Sequence, residues 1–370
     1  MKLVILKNNL KNALDSVSHT IGDNIGLPIL KNILIKAENG IITISSTNLE
    51  TAIVKTVAGK IMEEGSFTVP FSLFNSIISN IQNERIDLEK KDLSMKIKTD
   101  NYEAVVQGIS SDDYPIIPKI NDRSEFLEID GAVLKESLNQ IVSAAQISEL
   151  RPEISGVMFD LESSSLKLVA TDTFRLAEKT LYESDFKNQF SKGIRIIIPL
   201  KPVQEILRVI DEKNPVKIYT DESQVLIESN GLEFITRVID GKFPDYIQII
   251  PKNIETEIVV DRNEFMNALK LASVFSSKNN EIRIKVGTDG KMMEIYSADN
   301  SLGENKYLLS ADIKGVPVEV SFNWRYFLDG LRNIDSDSVV IKLQGSVKAS
   351  LLKANSSDSN YFYILMPLTV

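Results

Sequence analysis

The stretch KLVATDTFRLAEKT, from Lys167 to Thr180, has two weaker relatives elsewhere in the chain. TISSTNLETAIVKT begins at Thr43, and EIYSADNSLGENKY begins at Glu294. Each copy has an apolar, strand-like run, then Thr or Ala followed by Asp or Asn, and then a second run that ends in Lys-Thr or Lys-Tyr. The spacing between copies is about one third of the 370 residues. A period of this length predicts three similar domains in series.

Two amphipathic helices are predicted in each domain. The first opens the domain and places apolar residues three and four positions apart on one face. These stripes are Leu10, Leu14 and Val17, then Leu134, Leu138, Ile141 and Ala145, then Phe265, Leu269 and Ala272. The second helix follows the repeated stretch, within residues 68–82, 197–211 and 320–334. Asp130 and Asp261 stand where an N-cap acceptor is useful.

Strands of alternating polarity follow the second helix of each domain, separated by turn formers such as Ser-Asn-Gly. Each domain is therefore predicted to hold two helices and roughly eight short strands, with the helices packed on antiparallel sheets. The predicted fold class is α+β, with domains at 1–122, 123–252 and 253–370. If strands also pair across the domain borders, the two outermost edges stay free, and a second copy would remove those edges by closing a ring.

The composition argues against most catalytic chemistry. The chain has no Cys and a single histidine, His19, so it offers no disulfide, no thiolate and little scope for imidazole catalysis. No catalytic residue, metal site or cofactor is predicted. The net charge of −9 disfavours nucleic-acid binding by the whole surface but allows a local basic face. No run is long enough to span a membrane and no secretory signal is visible, so a cytoplasmic location is expected.

Several phrases, in matching order, resemble the bacterial DNA polymerase III beta subunit family, the sliding clamps. They are LPILKNILI (27–35), RPEISGV (151–157), ATDTFRLA (170–177), DGKFPDYIQIIP (240–251) and YILMPL (363–368). The resemblance covers essentially the whole chain. It implies a head-to-tail homodimeric ring that encircles double-stranded DNA without sequence preference. It also implies a processivity factor without catalysis of its own. The implied partners are a second copy, DNA, the replicative polymerase catalytic subunit, a clamp loader, and other repair or replication proteins.

The resemblance also implies why the middle copy of the repeat is elaborated, because in the family this region contributes to a hydrophobic pocket for partner peptides. Leu176, Ile364 and Leu368 are expected to receive apolar side chains of the peptide, and Arg175 is a candidate polar anchor. The family often has Gly-His where this chain has Thr173 and Phe174. At two positions where the family usually has a basic residue, this chain has Gln248 and Thr369. The full expected pocket is Ile154, Thr171, Thr173, Phe174, Arg175, Leu176, Pro244, Gln248, Ile249, Ile364, Met366, Pro367 and Leu368.

Two further surfaces are expected by similarity and from helix membership. Phosphate contacts are assigned to one DNA-facing set, because a clamp must hold DNA independently of sequence. That set is Asn24, Lys11, Lys135, Arg151, Lys201, Lys270, Arg325 and Arg332. The dimer interface is assigned to a domain-one strand at Ala104, Val105 and Val106 and to a domain-three helix near Val274 and Phe275, with Phe275 as the apolar anchor.

Two other functions stay open from the sequence. A carboxylate-based hydrolase would use Asp172, although its counterparts Asn48 and Asp299 suit a structural turn. A β-rich repeat scaffold without DNA would share the repeat, but would give no reason to concentrate specialised residues in one copy and at the C-terminal end.

Overall fold

The computed structural model describes residues 1–23, 25–221, 223–357 and 359–368. Two residues singled out above, Asn24 and Thr369, lie outside the described residues. Within those residues the structure has three successive thirds with the same order of elements, namely a strand, a helix, a group of strands, a second helix and three final strands. This order confirms the predicted α+β fold and its threefold repeat.

The first third contains helices α1 (Lys7–Val17) and α2 (Phe71–Asn80). Its strands are β1 (Lys2–Leu6), β2 (Asn32–Glu38), β3 (Ile41–Thr47), β4 (Thr51–Val57), β5 (Gly59–Glu63), β6 (Gly65–Pro70), β7 (Arg85–Lys91), β8 (Ser94–Lys98) and β9 (Glu103–Gln107).

The middle third contains helices α3 (Gly131–Val142) and α4 (Leu200–Val209). Its strands are β10 (Leu127–Asp130), β11 (Gly156–Leu161), β12 (Ser165–Thr171), β13 (Arg175–Tyr182), β14 (Phe186–Asn188), β15 (Ile194–Pro199), β16 (Pro215–Thr220), β17 (Gln224–Ser229) and β18 (Leu232–Arg237).

The last third contains helices α5 (Arg262–Ser273) and α6 (Trp324–Arg332). Its strands are β19 (Thr256–Asp261), β20 (Glu281–Val286), β21 (Met292–Asp299), β22 (Gly303–Gly315), β23 (Val318–Asn323), β24 (Ser338–Leu343), β25 (Ser350–Ala354) and β26 (Tyr361–Leu365).

The last third has one strand fewer because β22 takes the place of two strands. The beginning of β22 pairs with β21, as β4 pairs with β3, and its end pairs with β19, as β5 pairs with β1. A single strand of 13 residues therefore replaces two shorter ones. The described strands number nine, nine and eight in the successive thirds, against the predicted eight or so in each.

The described chain divides into two compact units. The first comprises residues 1–132, 187–191 and 205–238. It holds a five-stranded sheet in the order β5-β1-β7-β8-β9 and a nine-stranded sheet in the order β14-β10-β16-β17-β18-β4-β3-β2-β6. Strands of the first and middle thirds meet in the nine-stranded sheet, where β4 and β18 pair antiparallel from Thr51↔Thr236 to Lys55↔Leu232.

The second unit comprises residues 133–186, 192–204 and 239–370. Its described strands form one sheet in the order β15-β11-β12-β13-β26-β25-β24-β19-β22-β21-β20-β23. Strands of the middle and last thirds meet where β13 and β26 pair antiparallel, from Arg175↔Leu365 to Lys179↔Tyr361. Strands thus pair across both internal borders of the repeat, which is the condition under which a second copy would close a ring.

The helices follow the predicted stripes with one exception. Leu10, Leu14 and Val17 on α1 are fully buried, and each buried Leu stabilises the fold by about 1.5–3 kcal/mol. Asp130 Oδ1 accepts from the backbone N–H of Ala132 at 2.9 Å, and Asp261 acts likewise as an N-cap. The sequence predicts Ala145 in the stripe of α3, but this helix ends at Val142. Ala145 follows the next turn, and its backbone N–H donates to the carbonyl oxygen of Val142. None of the helices in the described residues is long and apolar enough to span a membrane.

Candidate functional site

A tight turn between β12 and β13 presents the residues that distinguish the middle copy of the repeat. The hydroxyl of Thr171 donates to the carbonyl oxygen of Arg175 at 2.7 Å. Asp172 Oδ1 accepts from the backbone N–H groups of Phe174 and Arg175, each at 2.9 Å. The N–H of Thr173 donates to Thr171 Oγ1 at 3.1 Å. Short polar side chains therefore fix the turn by bonding its own backbone.

The first copy of the repeat builds the same turn from different residues. Thr47 donates to the carbonyl oxygen of Thr51 at 2.9 Å, and Asn48 Oδ1 accepts from the N–H of Thr51 at 2.8 Å. In the third copy Asp299 Oδ1 accepts from the N–H of Ser301 at 2.8 Å. Asp172 therefore serves the turn, as the sequence analysis favoured over a catalytic role. The described residues contain no group of three or more His, Cys, Asp or Glu side chains that could hold a metal ion.

Thr173 adopts an unusual backbone conformation. Its φ is 77°, as is that of Leu49 at the same place in the first copy. This left-handed region favours Gly, and a β-branched side chain is strained there. The family's Gly fits this position without strain, whereas this chain holds Thr173 there by the hydrogen bonds of the turn.

The guanidinium of Arg175 is engaged within the protein. Its Nε donates to Asp172 Oδ2 at 2.9 Å, and its Nη1 donates to Asp329 Oδ2 at 2.5 Å. Its centre lies 4.3 Å from the centroid of the Tyr326 ring. Burial lowers the pKa of Arg175, but Tyr363 and the two carboxylates outweigh burial and raise the pKa above its ordinary value. Because the side chain is only 13% exposed, Arg175 is placed to brace the turn more than to meet a ligand.

An apolar cluster lies beneath this turn. Its members are Met158, Val169, Leu176, Ile197, Phe243, Tyr246, Ala349 and Ile364, with Met366 packed against it. Leu176 and Ile364 are opposed across the β13–β26 pairing, and each is only 1% exposed. The expectation that these two side chains directly receive apolar groups is therefore corrected. The segment carrying Phe243 and Tyr246 packs against them, and they form the floor of the site.

The C-terminal segment is tied to the turn. The backbone N–H of Met366 donates to the carbonyl oxygen of Phe174 at 2.8 Å, and that of Leu368 donates to the carbonyl oxygen of Ser321 at 2.8 Å. Met366, Pro367 and Leu368 are half-buried, whereas the side chain of Phe174 is 58% exposed. An exposed aromatic ring therefore stands beside an apolar, partly accessible tail.

The segment after β18 supplies another side of the site. Pro244 is half-buried and precedes a short 3₁₀ helix, Tyr246–Ile249. Gln248 donates through Nε2 to Asp245 Oδ2 at 2.8 Å, and Ile249 is 44% exposed. Ile154, also expected in the pocket, lies in another 3₁₀ helix and is only 3% exposed, so its side chain is part of the interior.

The structure adds residues that the sequence analysis missed. Tyr326 and Asp329 of α6 contact Arg175, although about 150 positions separate them in the chain. Ile247 is 44% exposed beside Gln248, and Val347 is 66% exposed two residues before Ala349 of the apolar cluster. No motif in the sequence points to these residues. Two of them, Ile247 and Val347, stand out only in the structure, as apolar side chains that are exposed.

The helices are basic in an acidic chain. They carry five acidic residues, Asp15, Glu136, Glu205, Glu264 and Asp329, against nine basic ones, Lys7, Lys11, Lys135, Lys201, Arg208, Arg262, Lys270, Arg325 and Arg332. The whole chain has a net charge of −9, so the non-helical residues are strongly acidic. Helical cations therefore give this protein a local basic character that its net charge hides.

The residues expected to face DNA differ in solvent exposure and in ion pairing. The exposed ones on helices are Lys11, Lys201, Lys270, Arg325 and Arg332. Lys135 is half-buried. Arg151 lies outside the helices and its Nε is 3.1 Å from Glu153 Oε1. Arg208, which the sequence analysis omitted, is exposed on α4 and pairs with Glu205 at 2.9 Å.

Several strand edges lack a strand partner in the described chain, and two of them belong to segments that the repeat singles out. Strand β9 ends the five-stranded sheet and pairs only with β8 among the described strands. The first part of β22, from Gly303, pairs with β21 on one side, whereas β19 covers only the part from Ala311 onward. These are the two strand segments equivalent to those that pair at the internal borders.

The residues expected at the dimer interface lie at or near these edges. Val105 and Val274 are 56% and 62% exposed, and Ala104 is half-buried. Val106 is 2% exposed, so its side chain belongs to the core of its own unit, and Val106 takes part in this edge only through the backbone of β9. Phe275 is half-buried, and its Cε1 lies 3.9 Å from the position a Cβ on Gly303 would take.

Comparison with known proteins matches the whole repeat. Models of the DNA polymerase III beta subunit match with their N-terminal domain over residues 1–118, their central domain over 128–245 and their C-terminal domain over 247–369. Curated relatives named beta sliding clamp include those of Staphylococcus aureus, at 29% identity over 370 residues, and Staphylococcus epidermidis, at 30%. Both alignments cover 97% of each chain.

Solved structures agree with the sequence relatives. The DNA polymerase sliding clamp of Bacillus subtilis superposes with a TM-score of 0.94 at 25% identity, covering 100% of this chain and 99% of that one. A DNA polymerase III beta chain from Streptococcus pneumoniae gives a TM-score of 0.93 at 25% identity, with both chains fully covered. The match extends over all three thirds.

Proposed function

The chain belongs to the DNA polymerase III beta subunit family, the sliding clamps, and we propose that two copies close head to tail into a ring around duplex DNA. Members of this family are non-catalytic processivity factors, so the protein is not an enzyme. The proposed ring consists of three clamp domains from each copy, at residues 1–122, 123–252 and 253–370. Its proposed location is cytoplasmic.

The observation that carries the proposal is the pattern of paired and free edges. At each internal border, a strand that follows the repeated turn pairs with the last strand of the next third, β4 with β18 and β13 with β26. Two equivalent strands remain, namely β22, which follows the turn of the last third, and β9, the final strand of the first third. Each has a free edge in the described chain. A second copy supplies the missing partner for each, and two identical contacts then close the assembly.

The repeat also supplies a register for this contact. Core-facing Ile53 pairs with Phe234 at one border and core-facing Ala177 pairs with Tyr363 at the other. Carrying the same register to the free edges sets Asn305 opposite Ala104 of the second copy. The exposed neighbours Glu304 and Val105 then oppose each other, as Leu176 and Ile364 do within the chain.

Helix contacts at an internal border support the same arrangement. Gln140 of α3 donates to the carbonyl oxygen of Asn333 after α6 at 3.2 Å. The repeat places Leu271 of α5 where Gln140 stands and Asn80 of α2 where Asn333 stands. Leu271 is 52% exposed, and Asn80 lines a cavity of about 530 Å³ beside α2. In the proposed ring, apolar side chains at the end of α5 from one copy fill this cavity of the other.

The basic helices are proposed to face the DNA. Exposed Lys11, Lys201 and Lys270 present mobile ammonium groups that contact phosphates independently of base sequence. This arrangement keeps DNA inside the ring without fixing its position, which sliding requires. Arg325 and Arg332 add two further cations on α6.

The turn at Thr171–Arg175 and the C-terminal segment are proposed to form the docking pocket for partner peptides. Phe174 and Ile249 are exposed, Met366 is half-buried, and the cluster around Leu176 gives an apolar floor. A concave apolar site with a few polar groups suits short linear segments. The proposed partners are the replicative polymerase catalytic subunit, a clamp loader that opens the ring, and other replication or repair proteins.

A topological experiment tests the ring. The protein is loaded onto a nicked circular plasmid by its cognate loader and then washed at a salt concentration that disrupts electrostatic binding. We expect retention on the circle and release once the plasmid is cut at one site. Equal retention on circular and linear DNA at high salt refutes encirclement and favours ordinary binding. Failure to retain protein on either form contradicts the closed ring. A scaffold that does not bind DNA has no feature of the described residues in its favour.

A further inference from the structure

We propose that Asp329 is a positioning residue that couples the DNA-facing side of α6 to the peptide pocket through a carboxylate shared by Arg175 and Arg332. The proposal rests on the proposed function, because it assigns Arg332 to the DNA face and the turn of Arg175 to the pocket. It concerns how occupancy of one surface changes affinity at the other.

The geometry at Asp329 is that of a bridge. Its Oδ2 accepts from Nη1 of Arg175 at 2.5 Å, and its Oδ1 lies 3.5 Å from Nη1 of Arg332. The two arginines differ in burial, since the side chain of Arg175 is 13% exposed and that of Arg332 is 59% exposed. One carboxylate thus joins an interior guanidinium to one that solvent or a phosphate can reach.

The interior end of the bridge has several contacts. Arg175 is also held by Asp172 and stacks on Tyr326, one turn before Asp329 on the same helix. The turn that carries Arg175 presents Phe174, whose carbonyl oxygen accepts from the N–H of Met366. A change in how firmly Asp329 holds Arg175 therefore reaches both the turn and the C-terminal segment that border the pocket.

The other groups described around Asp329 leave the two arginines as its charged partners. Asn333 donates through Nδ2 to the backbone carbonyl oxygen of Asp329 at 3.0 Å, which fixes the end of α6. Burial raises the pKa of the neighbouring Tyr361 and Tyr363, so both hydroxyl groups stay neutral at physiological pH. The charged partners of Asp329 in the described contacts are the two arginines, and they compete for one negative charge.

This competition predicts that phosphate binding at Arg332 raises the affinity for the peptide. Arg332 draws on the carboxylate and also repels Arg175 electrostatically. A phosphate that binds Arg332 offsets both effects, so Asp329 holds Arg175 more strongly. The turn is then better ordered before a peptide arrives, and ordering in advance raises affinity. Because an exposed ion pair contributes little, we expect a gain in peptide affinity of about 1.5- to 5-fold.

A double-mutant cycle tests the inference without DNA. The probe is a fluorescein-labelled peptide, taken as the tightest binder in an overlapping-peptide scan of the cognate replicative polymerase catalytic subunit. Its affinity is measured by anisotropy for the full chain, Arg332→Gln, Asp329→Asn and the double variant. Arg283→Gln is the matched control, because this exposed arginine lies in the same unit and its described side-chain partners, Glu319 at 3.2 Å and the Tyr296 ring, do not belong to the Asp329 bridge.

We expect Arg332→Gln to tighten peptide binding by about 1.5- to 5-fold, with no such gain in the Asp329→Asn background and no change in the control. An unchanged or weaker affinity of Arg332→Gln overturns the proposal, as does an equal gain with and without Asp329. In a second arm, a short duplex oligonucleotide should tighten peptide binding to the wild type but not to Arg332→Gln. Equal tightening of both overturns the coupling. If the wild type binds no peptide of the scan, the proposed pocket itself is wrong.

Discussion

A pair of engineered cysteines can test the contact between copies at the resolution of a single residue. The chain has no native Cys, so Val105→Cys combined with Glu304→Cys introduces the only two thiols. Both positions are exposed, and their replacement removes no core side chain. In the proposed register these two residues oppose each other across an antiparallel strand pair in the ring.

The expected distances decide the outcome. Directly opposed residues of antiparallel strands have Cα atoms about 4.5–5.5 Å apart, within the range of about 4.4–6.8 Å that a disulfide spans. A matched control combines Val105→Cys with Lys306→Cys, which is two residues further along β22 on the same face. Its diagonal separation is about 7–8 Å, beyond the reach of an unstrained disulfide.

Mild oxidation is followed on a non-reducing gel, and the linked peptides are identified by mass spectrometry. The Glu304 variant should give a covalent dimer of twice the 41.4 kDa chain, with a bridge at each of two identical contacts. The Lys306 variant should stay mostly monomeric under the same conditions. Preferential linking of the Lys306 variant refutes the register. A ladder of higher oligomers in place of a dimer refutes closure by two copies.

Four other predictions concern the pocket, the DNA face and stability. Phe174→Ala should weaken polymerase binding at least several-fold while leaving the denaturation midpoint unchanged, because the ring is 58% exposed; equal affinity in an interaction assay would show that Phe174 lies outside the pocket. Thr173→Gly should raise the free energy of unfolding by about 1 kcal/mol in chemical denaturation, because φ is 77° there, and a loss of stability would contradict the strain. Lys201→Gln should reduce the slope of log affinity for duplex DNA against log salt by about 0.9, the value for one lost phosphate contact, and an unchanged slope would remove Lys201 from the DNA face. Burial raises the pKa of the Tyr246 and Tyr363 hydroxyl groups, so these groups lose their protons at lower pH in the unfolded chain than in the folded one. The free energy of unfolding should therefore fall as the pH rises above about 10, and the tyrosinate absorbance at 295 nm should appear together with unfolding. Titration of all tyrosines while the protein is still folded would disprove their burial.

The position of the pocket could be inferred from the sequence, but its details could not. The repeated turn and its Asp172 follow from short-range hydrogen bonds among neighbouring residues, which sequence patterns record well. Leu176 and Ile364 were expected to meet a peptide, yet strand pairing and the segment of Phe243 cover them. The sequence pattern around an apolar residue is the same whether its side chain lines the accessible wall of a pocket or lies buried beneath it.

Arg175 illustrates the same limit for charged groups. Its neighbour Asp172 is visible in the motif, but Asp329 lies 154 positions away and meets it only after β13 and β26 pair and α6 packs. Val106 illustrates the limit for strands, because alternation alone leaves open which face of an edge strand turns inward.

The sequence by itself determined the threefold repeat, the apolar faces of six helices, the turn chemistry and the absence of cysteine-based or histidine-rich sites, because each depends on residue type and local spacing. The tertiary structure alone decided which strands pair across the borders of the repeat, which edges stay free, and that one carboxylate on α6 serves two arginines. Those outcomes depend on contacts between residues far apart in the chain, whose free energy is gained only when the sheets and helices pack together.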